Sequence, residues 1–199
     1  MPTIRLKRIP LILLLGSLFF VIPSYGAEKR DPQFIKWLQD FSIQARQAGV
    51  SEQTIQKAFK GLTAPNQQVL EKAMYQPEFT LTIWDYLDPR VNRNIVKKGR
   101  ETGAKHKQTL AAIEKEFGIS RNIILAIWSM ETAYGAVLKH KERFYSVPHA
   151  LATLGYADKK RSKFGKSQLL AALKILDSGD IRHDQMLGSW AGAMGHTQF

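Results

Sequence analysis

Cysteine is absent from all 199 residues. The chain therefore has no disulfide frame, no thiolate nucleophile and no N-terminal cysteine to carry a lipid. Histidine is sparse: His106, His140, His149, His183 and His196 are scattered, without the paired spacing of a zinc site. Neither a metal nor a cofactor is expected. Strand-like alternation is scarce, which excludes a β-rich fold. There is no internal repeat and no low-complexity tract. Acidic residues are the minority sign, with 17 Asp+Glu against 29 Lys+Arg and a formal charge of +12.

Long apolar runs are also missing, with one exception. Residues 9–22, "IPLILLLGSLFFVI", follow a basic start at Arg5, Lys7 and Arg8 and lead into the small residues of "PSYGA". This is the layout of a secretory signal peptide, and the run is short of the roughly 20 apolar residues a membrane span needs. Residues 1–26 are expected to be removed, leaving a soluble exported chain. Without those three basic residues the count is 26 basic against 17 acidic, or +9. A basic exported protein suits an anionic partner. An acidic wall polymer or a membrane surface fits better than nucleic acid, and charge alone does not choose between them.

What remains reads as helix after helix. Phe34, Trp37, Leu38, Phe41, Ala45 and Ala48 share one stripe, stopped at Gly49. Ser51 caps a second helix carrying Ile55, Ala58 and Phe59. A third carries Val69, Leu70, Ala73 and Met74, after breaks at Gly61 and Pro65. Residues 76–90, aromatic and bracketed by Pro77 and Pro89, are expected to form a short strand or an irregular join. Beyond Val91 helices resume. Leu110, Ile113 and Phe117 mark a face ended by Gly118, Ser120 caps the next helix, and Leu169, Ala172, Leu173 and Leu176 mark another, closed by "DSGD". The chain is expected to be mainly α, with a helical N-terminal part at 27–90 and a second part at 91–199.

One acid is oddly placed. In "IWSMETAYG" (127–135), Glu131 follows an apolar run. Ile124, Ile127 and Glu131 stand at i, i+3 and i+7, so Glu131 is expected at the rim of a buried face, with Gly135 ending the helix. Most glutamates at helix ends are merely solvated. A carboxyl group against apolar neighbours is instead disfavoured as the anion, and such an acid can protonate a leaving oxygen.

"ILAIWSMETAYG", together with "QPEFTLTIWDYL" (76–87), "HALATLGY" (149–156), "QLLAALKIL" (168–176) and "GSWAGAMGHTQF" (188–199), resembles the lytic murein transglycosylase B family of the lysozyme-like superfamily, in that family's order. The likeness runs from about Phe34 to the last residue. It implies a lysozyme-like core and an enzyme of the periplasm. Such enzymes cut peptidoglycan glycan strands between N-acetylmuramic acid and N-acetylglucosamine, using the muramoyl C6 hydroxyl rather than water and leaving a 1,6-anhydro end. By the same likeness Glu131 is the single acid/base, Ser189 lies near it and orients substrate, and Gln198 contacts glycan. Ordinary glycosidases carry a second carboxyl group about 5–9.5 Å away. Asp158 and Asp184 sit in polar contexts that make poor candidates for it.

Other readings of the same stretch stay open. The small residues Gly188, Ala191, Gly192, Ala193 and Gly195 suit either close approach of a sugar or a tight packing turn. Tyr134 and Trp190 suit either sugar stacking or burial. The basic run 159–166 suits a solvated loop or contact with the carboxylates of peptidoglycan peptides. The resemblance ends in mid-motif at Phe199, so the core is expected to be incomplete at its C-terminal end. A truncated relative that grips glycan without cleaving it is the alternative to an enzyme.

Overall fold

The first helix begins where chemistry tells it to. The Asp31 carboxylate accepts from the backbone N–H groups of Gln33 and Phe34, and Pro32 fixes the first helical turn. A computed structural model describes residues 30–75 and 81–198. The expected signal peptide, residues 76–80 and Phe199 lie outside them. Among the described residues there are nine α-helices: α1 (Pro32–Gln47), α2 (Glu52–Phe59), α3 (Gln67–Met74), α4 (Ile83–Leu87), α5 (Arg93–Lys105), α6 (Lys107–Phe117), α7 (Arg121–Thr132), α8 (Val147–Ala157) and α9 (Ser162–Ser178). Two two-residue strands, β1 (Tyr145–Ser146) and β2 (Leu187–Gly188), pair antiparallel with Tyr145 opposite Gly188. The fold is mainly α.

The packing centre is α8, apolar all round and buried from Val147 to Gly155 apart from the half-buried His149. Helix α9 lies against it through Leu169, Ala172, Leu173 and Leu176, all buried as the periodicity requires. They approach closely at Gly165, where any Cβ would overlap the backbone of Gly155. Helix α1 adds Phe34, Leu38, Phe41 and Ala45. Its Trp37 stacks on Phe41 at 5.3 Å, and Phe34 meets Tyr156 edge-on at 5.3 Å. Each fully buried Leu or Phe here contributes about 1.5–3 kcal/mol. Val69 and Ala73 of α3 pack with Ala150 and Leu154 of α8. The packing thus runs across residue 90: α1–α3 sit on α8 and α9, while α5, α6 and α7 pack on one another.

Three expectations are corrected. Residues 83–87 of the aromatic segment form a short helix, not a strand, because Thr82 caps it by accepting from the Asp85 N–H. Phe117, expected on the buried face of α6, is 68% exposed, whereas Leu110 on that face is buried. The basic run 159–166 is not simply a loop, since its second half is the first turn of α9.

The candidate active site

Helix α7 is set by its ends. Ser120 accepts from the Asn122 N–H at the start, after Gly118 has turned the chain at φ 67°. The helix stops at Thr132, short of the Gly135 expected from the sequence. Ala133 (φ 50°), Tyr134 (φ 59°) and Gly135 (φ 81°) are consecutive left-handed residues. Left-handed backbone costs a non-glycine residue about 1–2 kcal/mol, so the turn persists only because its surroundings hold it. Ala133 and Tyr134 donate to the carbonyls of Ser129 and Trp128. The Lys98 ammonium, from α5, donates to the Ala133 carbonyl at 3.0 Å and lies over the Tyr134 ring, a cation set at a helix C-terminus. The Tyr134 hydroxyl reaches α5 at the buried Gly99, where a Cβ would stand 2.5 Å away.

The faces of α7 are turned by one position from the expected arrangement. Ile124, Leu125, Trp128 and Thr132 form the covered stripe, and Thr132 is only 1% exposed. Glu131 is exposed, sharing its side with Ile123 (55% exposed), Ile127 (44%) and Met130 (44%). The apolar neighbours foreseen beside the acid are present, but they are open to solvent rather than packed. The reason is angular: a step of one residue swings about 100° around the helix, and the half-buried Trp128, not Ile127, lies on the covered side.

The C-terminal segment is tied to this helix end. The Thr132 hydroxyl donates to the His196 carbonyl at 2.7 Å and accepts from the Gly135 N–H. The Trp128 indole N–H donates to Nδ1 of His196 at 2.9 Å. Two residues further on, Gln198 (φ 57°) donates from its side-chain amide to the Gly195 carbonyl at 2.8 Å. It borders a cavity of about 390 Å³ that Leu151, Phe164, Gln168 and Met194 also line. Ser189 organises the small-residue turn. Its Oγ accepts from the N–H groups of Ala191 and Ala193, both at 3.2 Å, which occupies the oxygen's lone pairs and leaves its hydrogen to donate.

The predicted site residues are therefore brought together unevenly. Glu131 and Gln198 stand on two segments joined by the Thr132–His196 and Trp128–His196 bonds. Ser189 holds the turn leading to the second segment, while Tyr134 faces α5 in a separate cavity of about 520 Å³ bordered by Gly99, Gly103 and Leu125. Within "GSWAGAMG" the packing reading prevails at two positions: Gly188 presses on the Ala193 carbonyl and Val147, and Gly192 on Leu151. Gly195 alone of these faces open space. Trp190 is half-buried, with the Arg161 guanidinium 5.4 Å from its ring centre. Sequence reading missed Thr132, Trp128, His196 and Lys98. A signal existed for Thr132, which follows Trp128 by four residues and so shares its face.

Asp158 and Asp184 are held as anions. Burial pushes the Asp158 carboxyl up, but bonds from the Arg161 N–H, the Arg161 guanidinium and the Lys160 N–H outweigh it and leave it below the ordinary carboxylate range. Asp184 is lowered chiefly by its bond to Arg182. Neither is suited to donating a proton.

A mainly helical domain of this architecture is that of the lysozyme-like lytic transglycosylases, and the chain belongs to the family described as "Transglycosylase SLT domain", whose profile matches residues 33–199. Among solved structures it is similar to SltB3 from Pseudomonas aeruginosa in complex with NAG-NAM-pentapeptide, at 39% identity and a TM-score of 0.75, covering 83% of this chain and 43% of that one. It is also similar to the soluble lytic transglycosylase SltB1 of the same organism, at 26% identity and a TM-score of 0.68, covering 84% of this chain and 54% of that one. Escherichia coli Slt35 in complex with bulgecin A, at 22% identity and a TM-score of 0.68, covers 85% and 52% and shares the fold. The chain thus spans about half or less of the length of these proteins. No curated protein sequence matches it. No helix among the described residues is long and apolar enough to cross a membrane.

Proposed function

We propose that this protein is a peptidoglycan lytic transglycosylase whose single acid/base is Glu131. The carboxyl group protonates the glycosidic oxygen between N-acetylmuramic acid and N-acetylglucosamine as the C1–O bond breaks. The muramoyl C6 oxygen then bonds to C1, its proton returns to Glu131, and a 1,6-anhydro end remains without water entering the product. One group performing both transfers needs no second carboxylate, and the substrate's own N-acetyl group stabilises the cationic transition state. Ser189 and Gln198 orient the glycan, while Tyr134, turned toward α5, braces the end of the Glu131 helix rather than touching the sugar. The partner is the glycan strand rather than nucleic acid. The basic charge suits the anionic wall, and residues 1–26 direct export to the periplasm, where 27–90 and 91–199 act as helical and catalytic parts.

The observation that carries this reading is Glu131 itself. It is an accessible carboxyl group on a helix end fixed by a strained turn, in a chain 39% identical to SltB3, which has been crystallised with both NAG-NAM-pentapeptide and NAG-anhNAM-pentapeptide. The open apolar side formed by Ile123, Ile127 and Met130 favours one rival: a protein that holds glycan without turning it over.

Purified peptidoglycan incubated with the protein should release 1,6-anhydromuropeptides detectable by mass spectrometry. Glu131→Gln should reduce that release by at least about a hundredfold, the usual scale for a lost acid/base. Co-sedimentation with peptidoglycan but no anhydro product would favour the binding protein. Undiminished product from Glu131→Gln would overturn the catalytic assignment.

A further inference from the structure

We propose that His196 is a positioning residue that clasps the Gln198 turn to the Glu131 helix end, and that it does so only as the neutral imidazole carrying its hydrogen on Nε2. This rests on the function proposed above.

Three contacts define the clasp. Indole N–H is a donor only, so the 2.9 Å bond from Trp128 requires His196 Nδ1 to accept with its lone pair. That fixes the tautomer. The His196 carbonyl is held separately by the buried Thr132 hydroxyl at 2.7 Å. The ring also meets Trp128 edge-on, with centroids 5.4 Å apart. Gly135 completes the seat: a Cβ there would stand 2.7 Å from His196 Nδ1, and its φ of 81° already demands glycine. The C-terminal end of α7 and the turn leading to Gln198 are therefore joined through one residue, its ring held by Trp128 and its carbonyl by Thr132. Neither can shift without breaking a bond to His196.

Protonation has a directed consequence. A second hydrogen on the ring lands on Nδ1, facing the indole hydrogen donor to donor. The charged and titratable groups around the clasp are Lys98, bonded to the Ala133 carbonyl; Glu131, adjoining Thr132; Tyr134, edge-on to Trp128; and His106, whose ring meets Trp128 at 5.5 Å.

The test needs no turnover to decide it. In 15N-labelled protein, the Trp128 indole N–H resonance, assigned with Trp128→Phe, should move with pH in step with the ring signals of His196. In His196→Asn the amide oxygen can take the place of Nδ1 as an acceptor that does not titrate, so the resonance should stay fixed. His106→Gln should leave the wild-type movement in place. An indole signal indifferent to His196 protonation, or one that follows His106 instead, overturns the clasp. With peptidoglycan as substrate, His196→Leu should lose about tenfold in kcat with little change in KM, a modest fraction of what misplaced reacting groups lose. His196→Asn should restore the rate and flatten its acid limb. If His196→Leu retains full kcat while wild type is active, the positioning role is wrong. If wild type itself yields no anhydro product, the proposed function fails, and the indole titration still decides the clasp.

Discussion

At the scale of single residues, the site is built from side chains that fit only one neighbour. Tyr134, at φ 59°, sends its hydroxyl over the buried face of α5, and Gly99 is the residue that makes room for it. Gly99→Ala should gain helix propensity of about 1 kcal/mol yet lose about 1–3 kcal/mol to overpacking. The Tyr134 ring is held against Trp128 at 5.9 Å and cannot simply swing away. Tyr134→Phe removes the colliding oxygen and leaves the ring carbon at 3.4 Å, an ordinary contact. The double variant should therefore be more stable than Gly99→Ala alone. Urea unfolding of the four proteins gives the coupling, and strict additivity would show that the hydroxyl is not what Gly99 accommodates. This scale was the least legible in the sequence. The candidate acid could be singled out, but not its face, because periodicity defines a stripe only to within about one position and bulk then decides. Trp128, half-buried, lies on the covered side that Ile127 was expected to occupy. The His196 bonds join residues 64 and 68 positions apart, and no local pattern announces such a pair.

At the scale of elements, the sequence was far more explicit, because element ends rest on local chemistry. Ser51 and Ser120 cap α2 and α7 as expected, and Gly118 and Gly179 close α6 and α9 in the left-handed conformation. Apolar spacing correctly marked the buried residues of α1 and α9. It could not show that α8 would be central, since a helix apolar on all sides has no preferred face to read. Nor could it show where α8 and α9 touch. That point is Gly165, and its nearest neighbour is backbone rather than a side-chain tip. Gly165→Ala should thus lower the urea midpoint by the equivalent of about 1–3 kcal/mol despite better helix propensity. Gly103→Ala on α5 is the informative contrast. Its Cβ would meet only the Leu125 Cδ1 at 3.0 Å, the free end of a flexible chain, so the result should be near neutral. Equal losses at the two sites would mean that helix contact, not backbone proximity, sets the cost.

At the scale of the whole molecule, distant segments are pinned by carboxylates, and this makes stability depend on pH in one direction. Asp177, at the end of α9, accepts from the Ser51 hydroxyl and N–H at the start of α2, 126 residues away, and those bonds hold its carboxyl below the usual range. Asp158 is likewise lowered, on balance, at the corner between α8 and α9, where its partner Arg161 lies over Trp190. Glu52 is lowered by Arg46, and Glu114 by Arg121 across the turn into α7. A carboxyl group whose folded value is depressed binds fewer protons in the native state than in the unfolded one. Its contribution is complete above the unfolded value of about 4 and disappears as pH falls through the folded value. His183 acts in the same sense from higher pH: burial, then Lys57, lowers it, so the unfolded chain takes up the proton first below about 6.5. Melting temperature followed by circular dichroism should therefore be nearly flat from pH 7.5 to about 6.5, decline gently toward pH 4, and fall steeply below that. Asp158→Asn should lower the plateau and reduce the steep limb, because the variant has no proton left to gain at that corner. A variant that keeps the wild-type slope below pH 4 would show that the bonds from Arg161 and Lys160 do not couple protonation to folding.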